Sequence, residues 1–380
     1  MKGLRLALSL LGLVLSLTAL YAQYEVFLGD RDLQRGALRF DPLANTTSVF
    51  GSCNVASGSR FYYGMDFDPR TGYLWACDTL QSRIVALDGN GNCVASIQTP
   101  SLPTGLAIHP DGRYAFLTTS STTVYCYDLS TGQQVSSASL QNVSSLYGLD
   151  FSTRGEYLYV CDFSGRQLIQ LYADLTTFAI SETARVSFSA RVFNGQQYTV
   201  NPYDVTVRTQ YGGRAPIDYI YVTLTTGFYG PYSEVAAGGY AYDTPGFLPE
   251  PTTFAVHPNA GPGNFVSFFG IELAPDGLLW VSQYNPGGLF TVDTNTGQVT
   301  QRANYGGNKL GVGVAIRAAR CVEHEGDVDN NGCVDDADLL AVLFAFGQSG
   351  ANLGRVDVNC DRVVDDADLL VVLFNFGRGC

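Results

Sequence analysis

The chain has 380 residues and a formal net charge of −13, from 35 Asp and Glu against 22 Lys and Arg. Phosphate binding needs a basic face, so nucleic acid is excluded as an expected partner. Only 15% of residues are charged while Gly, Tyr and Phe number 42, 23 and 22, which suits a β-rich extracellular fold with many turns.

The first residues read Met1-Lys2-Gly3-Leu4-Arg5, then an apolar run from Leu6 to Leu20, then Tyr21-Ala22-Gln23. A basic start, a short apolar stretch and a small residue at its end predict a secretory signal peptide over residues 1–22, cleaved after Ala22. No Cys follows the apolar run, so no lipid anchor is expected, and no later stretch reaches the roughly twenty apolar residues of a membrane helix. The expected location is extracellular.

Residues 23–320 repeat a phrase at intervals of about forty residues, the signature of a propeller. A glycine, an apolar–acidic alternation and a turn recur at Gly64-Met-Asp-Phe-Asp-Pro69, Gly105-Leu-Ala-Ile-His-Pro110, Gly148-Leu-Asp-Phe-Ser-Thr153 and Gly270-Ile-Glu-Leu-Ala-Pro275. Pro202-Tyr-Asp-Val-Thr-Val207 and Gly313-Val-Ala-Ile316 are degenerate copies. A second alternating strand follows, as in Tyr73–Asp78, Tyr114–Thr118, Tyr157–Cys161, Tyr219–Thr223 and Leu279–Ser282, and a third leads to turns such as Asp128-Leu-Ser-Thr-Gly132 and Asp293-Thr-Asn-Thr-Gly297. The last glycine phrase lacks strands of its own, and Tyr24–Leu28, Ala37–Asp41 and Thr47–Phe50 supply them. This predicts an all-β, six-bladed β-propeller whose last blade is closed by both chain ends, which removes exposed sheet edges. The Gly/Tyr/Pro-rich run from Gly227 to Pro251 is expected to be a long inserted loop. The pattern resembles the bacterial YVTN/NHL-type and gluconolactonase-like propellers, a resemblance of architecture that does not identify an activity.

Aligned on these phrases, acids stand at one position in four blades, Asp66, Asp150, Asp204 and Glu272, with Ala107 and Ala315 in the other two. Tyr63, Thr104, Tyr147, Phe269 and Val312 precede the glycines. One reading is a partial ring of carboxylates behind an aromatic mouth that holds a cation or a sugar. The favoured reading is that these acids bond neighbouring backbone amides or pack between blades. The Glu/Asn/Asp metal triad that the gluconolactonase resemblance would imply has no match. His109, His257 and His324 are scattered, and no nucleophile elbow or Ser-His-Asp set appears.

Residues 321–380 carry one Asp-rich segment twice. Val334–Gly347 and Val364–Gly377 are identical at twelve of fourteen positions. Oxygen-bearing residues recur at loop positions 1, 3, 5, 9 and 12, the spacing that wraps a loop around Ca²⁺ with six to eight oxygens at roughly 2.3–2.6 Å. The first loop would use Asp327, Asp329, Asn331, the Cys333 carbonyl, Asp335 and Asp338. The second would use Asp357, Asn359, Asp361, the Val363 carbonyl, Asp365 and Asp368. Both place Asp rather than Glu at position 12, and Arg362 stands where a Gly takes the sharp turn, so the second site is expected to be weaker. The bland alternative is a pair of solvated acidic turns. Twelve acidic and three basic residues from Cys321 onward account for nine of the thirteen net negative charges.

Each loop runs into a short apolar helix that stops at a glycine, and the unit, repeated about thirty residues apart, resembles the type I dockerin module. That resemblance implies a small α-helical domain with two EF-hand-type calcium loops that docks onto a cohesin-like surface protein. It assigns partner choice to positions 10 and 11, here Asp336-Ala337 and Asp366-Ala367 in place of the family's common Ser/Thr pair. Two identical pairs would permit two orientations of docking. It also makes a Cys321–Cys380 clasp plausible, among nine cysteines whose pairing is not readable from spacing.

The preferred reading is a secreted, non-catalytic propeller that recognises a protein or glycan and is tethered by a calcium-dependent docking module. A propeller hydrolase or lyase acting on extracellular polysaccharide is the second reading, and a structural cell-surface component the third.

Overall fold

The computed structural model describes residues 24–30, 36–42, 44–53, 61–211, 215–307, 310–318, 326–329, 333–348, 353–359 and 363–380. The leader 1–22 and Cys321, His324, Asn331, Cys360, Asp361 and Arg362 lie outside the described residues. The chain divides into two compact units, one built on Val26–Phe40 and Asn45–Ile316, the other holding Arg317–Cys380.

Six four-stranded sheets make the blades. Blade one orders its strands Leu310–Ala318, Tyr24–Asp30, Gly36–Asp41 and Thr46–Gly51, so both chain ends close it as expected. Blades two to six begin on inner strands Tyr62–Phe67, Pro103–Ile108, Leu146–Phe151, Asn201–Gln210 and Phe268–Leu273, each followed outward by three antiparallel strands. The second strands Leu74–Asp78, Tyr114–Thr119 and Leu158–Asp162 are buried at every residue because a neighbouring blade covers each face. Outer strands such as Gln133–Ser139 are mostly polar and exposed, as an edge facing water must be. The core therefore lies between blades, as where Ala107 and Phe116 of blade three meet Leu149 and Leu158 of blade four. The inner glycines permit this packing: a methyl group at Gly105 would collide with the Tyr147 carbonyl, and one at Gly313 with that of Tyr63. The Asp-Xaa-Xaa-Thr-Gly turns form as read, with Asp128 Oδ1 accepting from Ser130 N–H at 2.9 Å and Gly132 closing the turn at φ +71°.

Two expectations for the propeller are corrected. Gly227–Pro251 is not an inserted loop, since Ser233–Ala241 forms a nine-residue third strand of blade five. Its Val235 and Ala236 are buried, as is Tyr232 just before it, and the extra length is taken up by unusually long strands, Asn201–Gln210 and Ile217–Thr225. Asp204 is not equivalent to the other acids. Val205 pairs with Val222 where Met65, Leu149 and Ile271 pair with Ala76, Val160 and Val281. That register puts Asp204 at the glycine position of blade five and Thr206 at the acid position.

In the C-terminal unit, helices α1 (Asp336–Ala345) and α2 (Asp366–Phe374) follow the two loops. Asp335 and Asp365 are their N-caps, each accepting from a backbone N–H at 2.8 Å (Ala337, Ala367) and completed by Asp338 and Asp368 in capping boxes. Val328, Val334, Val342, Val358, Val364 and Val372 form the small core. The halves are crossed: Val334 N–H donates to Arg378 O and Gly377 N–H to Val334 O, while Val364 N–H donates to Gln348 O and Gly347 N–H to Val364 O. Cys380 is joined to Cys333, which corrects the Cys321–Cys380 clasp, and a second disulfide joins Cys53 to Cys93. The chain end is drawn to Cys333 because the Val334 pairing already brings it there.

Candidate functional site

The first loop gathers Asp327, Asp329 and Asp338, one carboxylate oxygen of each lying within 4.8 Å of the others. Oxygens on a coordination sphere of roughly 2.3–2.6 Å radius stand at most about 5 Å apart, so this set fits a hard divalent cation such as Ca²⁺. Asp338 is fully buried, and its oxygens accept from Val328 N–H at 2.6 Å, Asp329 N–H at 3.1 Å and Asp335 N–H at 2.9 Å. Asp368 repeats the pattern with Val358, Asn359 and Asp365 at 2.6, 3.1 and 2.9 Å. The two loops thus share one backbone template, with Asp357 buried and Asn359 half-buried at positions 1 and 3 of the second. Asn331 and Asp361, the position 5 residues, are not among those described.

Sequence reasoning missed two features here. Arg355 reaches the start of the first loop and donates to the carbonyls of Val328, at 3.0 Å, and Asp327. The outer faces of both helices are apolar: Leu343 and Phe344, and their repeats Leu373 and Phe374, are exposed, with the two Phe at 80% and 83%. The signal was present, because helices apolar all round carry more hydrophobic surface than one small core can cover. Asp336, Ala337, Asp366 and Ala367 are exposed as well.

In the propeller, Asp66, Asp150, Asp204 and Glu272 line a narrow central cavity with about 30 Å³ open to water-sized molecules. That volume is room for about two waters. Three of the acids tie blades together. Asp66 accepts from Phe67 N–H (2.6 Å) and Ile108 N–H of blade three (2.7 Å), Asp150 from Phe151 N–H and Val207 N–H of blade five (both 2.7 Å), and Asp204 from Val205 N–H (3.0 Å) and Ile271 N–H of blade six (3.1 Å). Burial pushes Asp66 and Asp204 up to about 7 despite those N–H donors. Asp150 and Glu272 are raised by burial and then by the neighbouring carboxyls. No three of them have oxygens close enough for direct coordination of one ion. The expected mouth is a plug: Tyr203, Phe269 and Tyr284 are buried and packed together, with Tyr63, Tyr147, Phe163 and Phe228 against them. Together these observations favour the structural reading of the ring.

The nucleophile candidates are quiet. Cys77, Cys126 and Cys161 are buried free thiols, and burial raises all three, Cys126 to about 12. His257 is buried against Phe268 and Phe290, 3.1 Å from Gln283, and burial lowers it to about 4. His109 packs edge-on against Phe151 and accepts from Asp111 N–H at 3.2 Å. Among the described residues no helix is long and apolar enough to cross a membrane.

No protein-family model matches the chain, and no curated protein matches it in sequence. Solved structures do match in fold. A chain of a nidogen/laminin complex is 12% identical, with 78% of this chain and 100% of that one covered and a TM-score of 0.51. A protein from Lactobacillus plantarum is 14% identical, with 78% and 100% covered and a TM-score of 0.50. At such identities the likeness is one of architecture. The protein is a six-bladed β-propeller followed by two short helices.

Proposed function

We propose that this protein is a secreted, non-catalytic recognition propeller, comprising residues 23–320 after a leader 1–22, tethered by a calcium-dependent dockerin-like module over residues 321–380. The observation that carries the reading is the convergence of Asp327, Asp329 and Asp338 in a loop whose backbone template is used twice. In this reading Asp327, Asp329, Asn331, the Cys333 carbonyl, Asp335 and Asp338 hold one Ca²⁺. Asp357, Asn359, Asp361, the Val363 carbonyl, Asp365 and Asp368 hold a second, less tightly. The ions neutralise the acidic loops and hold the helices in place. The exposed Asp336-Ala337 and Asp366-Ala367 pairs, flanked by Leu343, Phe344, Leu373 and Phe374, would meet a cohesin-like surface protein, and the propeller loops would meet a protein or glycan.

Calorimetric titration of the full chain tests this. Two calcium-binding events of unequal affinity are expected, and Asp327→Ala with Asp338→Ala should remove the tighter one. Retention of the chain on immobilised cohesin only when calcium is present supports tethering. An absence of calcium uptake by the wild-type chain would refute the module, and uptake without retention would refute its partner.

A further inference from the structure

The two loops share a backbone template but differ at position 7. In the first this residue is Cys333, covalently joined to Cys380, 47 residues away. In the second it is Val363, which has no sulfur. The disulfide reinforces the backbone pairing of Val334 with Gly377 and Arg378, at 2.8 and 2.9 Å, so the loop is bound to the segment that follows α2 both covalently and by hydrogen bonds. Cys380 is exposed, and Cys333 Sγ lies 3.6 Å from Asp335 Oδ2, the position 9 carboxylate.

We propose that Cys333–Cys380 is a redox-sensitive clasp that sets the affinity of the first loop for a divalent cation, the reduced loop binding more weakly. This rests on the calcium reading above. The reductant is a dithiol. Its thiolate attacks the Sγ of Cys380, an exposed residue, the S–S bond breaks, and Cys333 leaves as a thiolate that takes up a proton. The second thiol then displaces Cys380 and closes the reductant's own disulfide, so two electrons pass from dithiol to protein. Reduction has two effects on the loop. Position 7 is no longer anchored to the chain end, so binding must order more of the backbone. The new Cys333 thiol also becomes a donor beside Asp335 Oδ2, which the disulfide cannot be, and so competes with a cation for that oxygen.

The test is calcium titration of the full chain in three states: oxidised wild type, wild type reduced by a dithiol, and Cys333→Ser/Cys380→Ser without reductant. The tighter event should weaken roughly tenfold or more in both altered states, given what a disulfide closing a loop of this size contributes, while the weaker event changes far less. A Cys53→Ser/Cys93→Ser chain, titrated with and without reductant, separates the other described disulfide from the effect. Reduction in place keeps the comparison open should the serine variant fold poorly. Equal calcium affinity of oxidised and reduced wild type, with uptake intact, overturns the clasp and leaves the calcium reading standing. No uptake by the oxidised chain overturns both.

Discussion

Raising the pH from 4.5 to 8 should destabilise the propeller, because the channel carboxyls are held in the protonated form by burial. Asp66 and Asp204 sit at about 7 in the folded chain, against 3.8 for an ordinary aspartate. A carboxyl whose folded pKa is raised binds its proton more tightly when folded, so stability falls as pH climbs from about 4 to about 7 and then levels off. A tenfold difference in proton affinity is worth about 1.4 kcal/mol, so each of the two groups removes about 4 kcal/mol over that window. Asp150 and Glu272, raised in the same direction, steepen the fall. The opposite limb comes from carboxyls held below their usual range, Asp88 by Asn92 and Asp174 by Thr177, whose contribution is lost as pH drops below about 4. The optimum should therefore lie in mild acid. Urea denaturation of the full chain with chelator, followed by tryptophan fluorescence across this range, reads the slope. Asp66→Asn lowers stability outright, since an amide NH₂ then faces a backbone N–H. It should also flatten the slope by about 1.4 kcal/mol for each pH step of one between pH 4 and 7. A midpoint that is level or rises from pH 5 to 8 would sink the argument that burial outweighs the N–H donors.

Other parts of the fold make comparable predictions. Arg191 bonds fully buried Glu234 at 2.8 Å, Glu250 at 2.7 Å and the Pro251 carbonyl at 2.7 Å, so Arg191→Leu leaves an unpaired buried charge and should cost about 3–5 kcal/mol in urea unfolding. A loss under about 1 kcal/mol would mean that Tyr232 and Thr253, which also donate to Glu234, suffice. Cys53→Ser/Cys93→Ser opens a link spanning 40 residues and should cost about 2–4 kcal/mol, seen as a lower melting temperature under non-reducing conditions.

The blade architecture was legible because five of the six inner strands carry a glycine, which at Gly64, Gly105, Gly148 and Gly313 must lack a side chain, within an alternation of apolar and polar residues. That pattern failed in blade five. There Asp204 fills the glycine position, which Gly148 makes possible: a side chain at Gly148 would collide with Asp204. A register keyed on glycine slides by two residues for that reason. The same blade hid a strand inside Gly227–Pro251, since glycine-rich composition masks a strand whose ladder is completed by long neighbours. The two short helices and the gathering of Asp327, Asp329 and Asp338 were legible because the Asp-rich segment and the apolar run after it occur twice. The plug at Tyr203 was not, because its partners come from separate blades. Nor was the disulfide pairing, which depends on where the chain end is carried.

The closure of blade one also has a consequence in time. Tyr24–Asp30, Gly36–Asp41 and Thr46–Gly51 precede all other described strands in the chain, yet their innermost partner, Leu310–Ala318, comes almost three hundred residues later. During synthesis these strands must wait with an open edge, the kind of edge that recruits other chains. The ring can shut only when the far end of the propeller has emerged, so its completion is a late and slow event, governed by the longest-range pairing among the described strands.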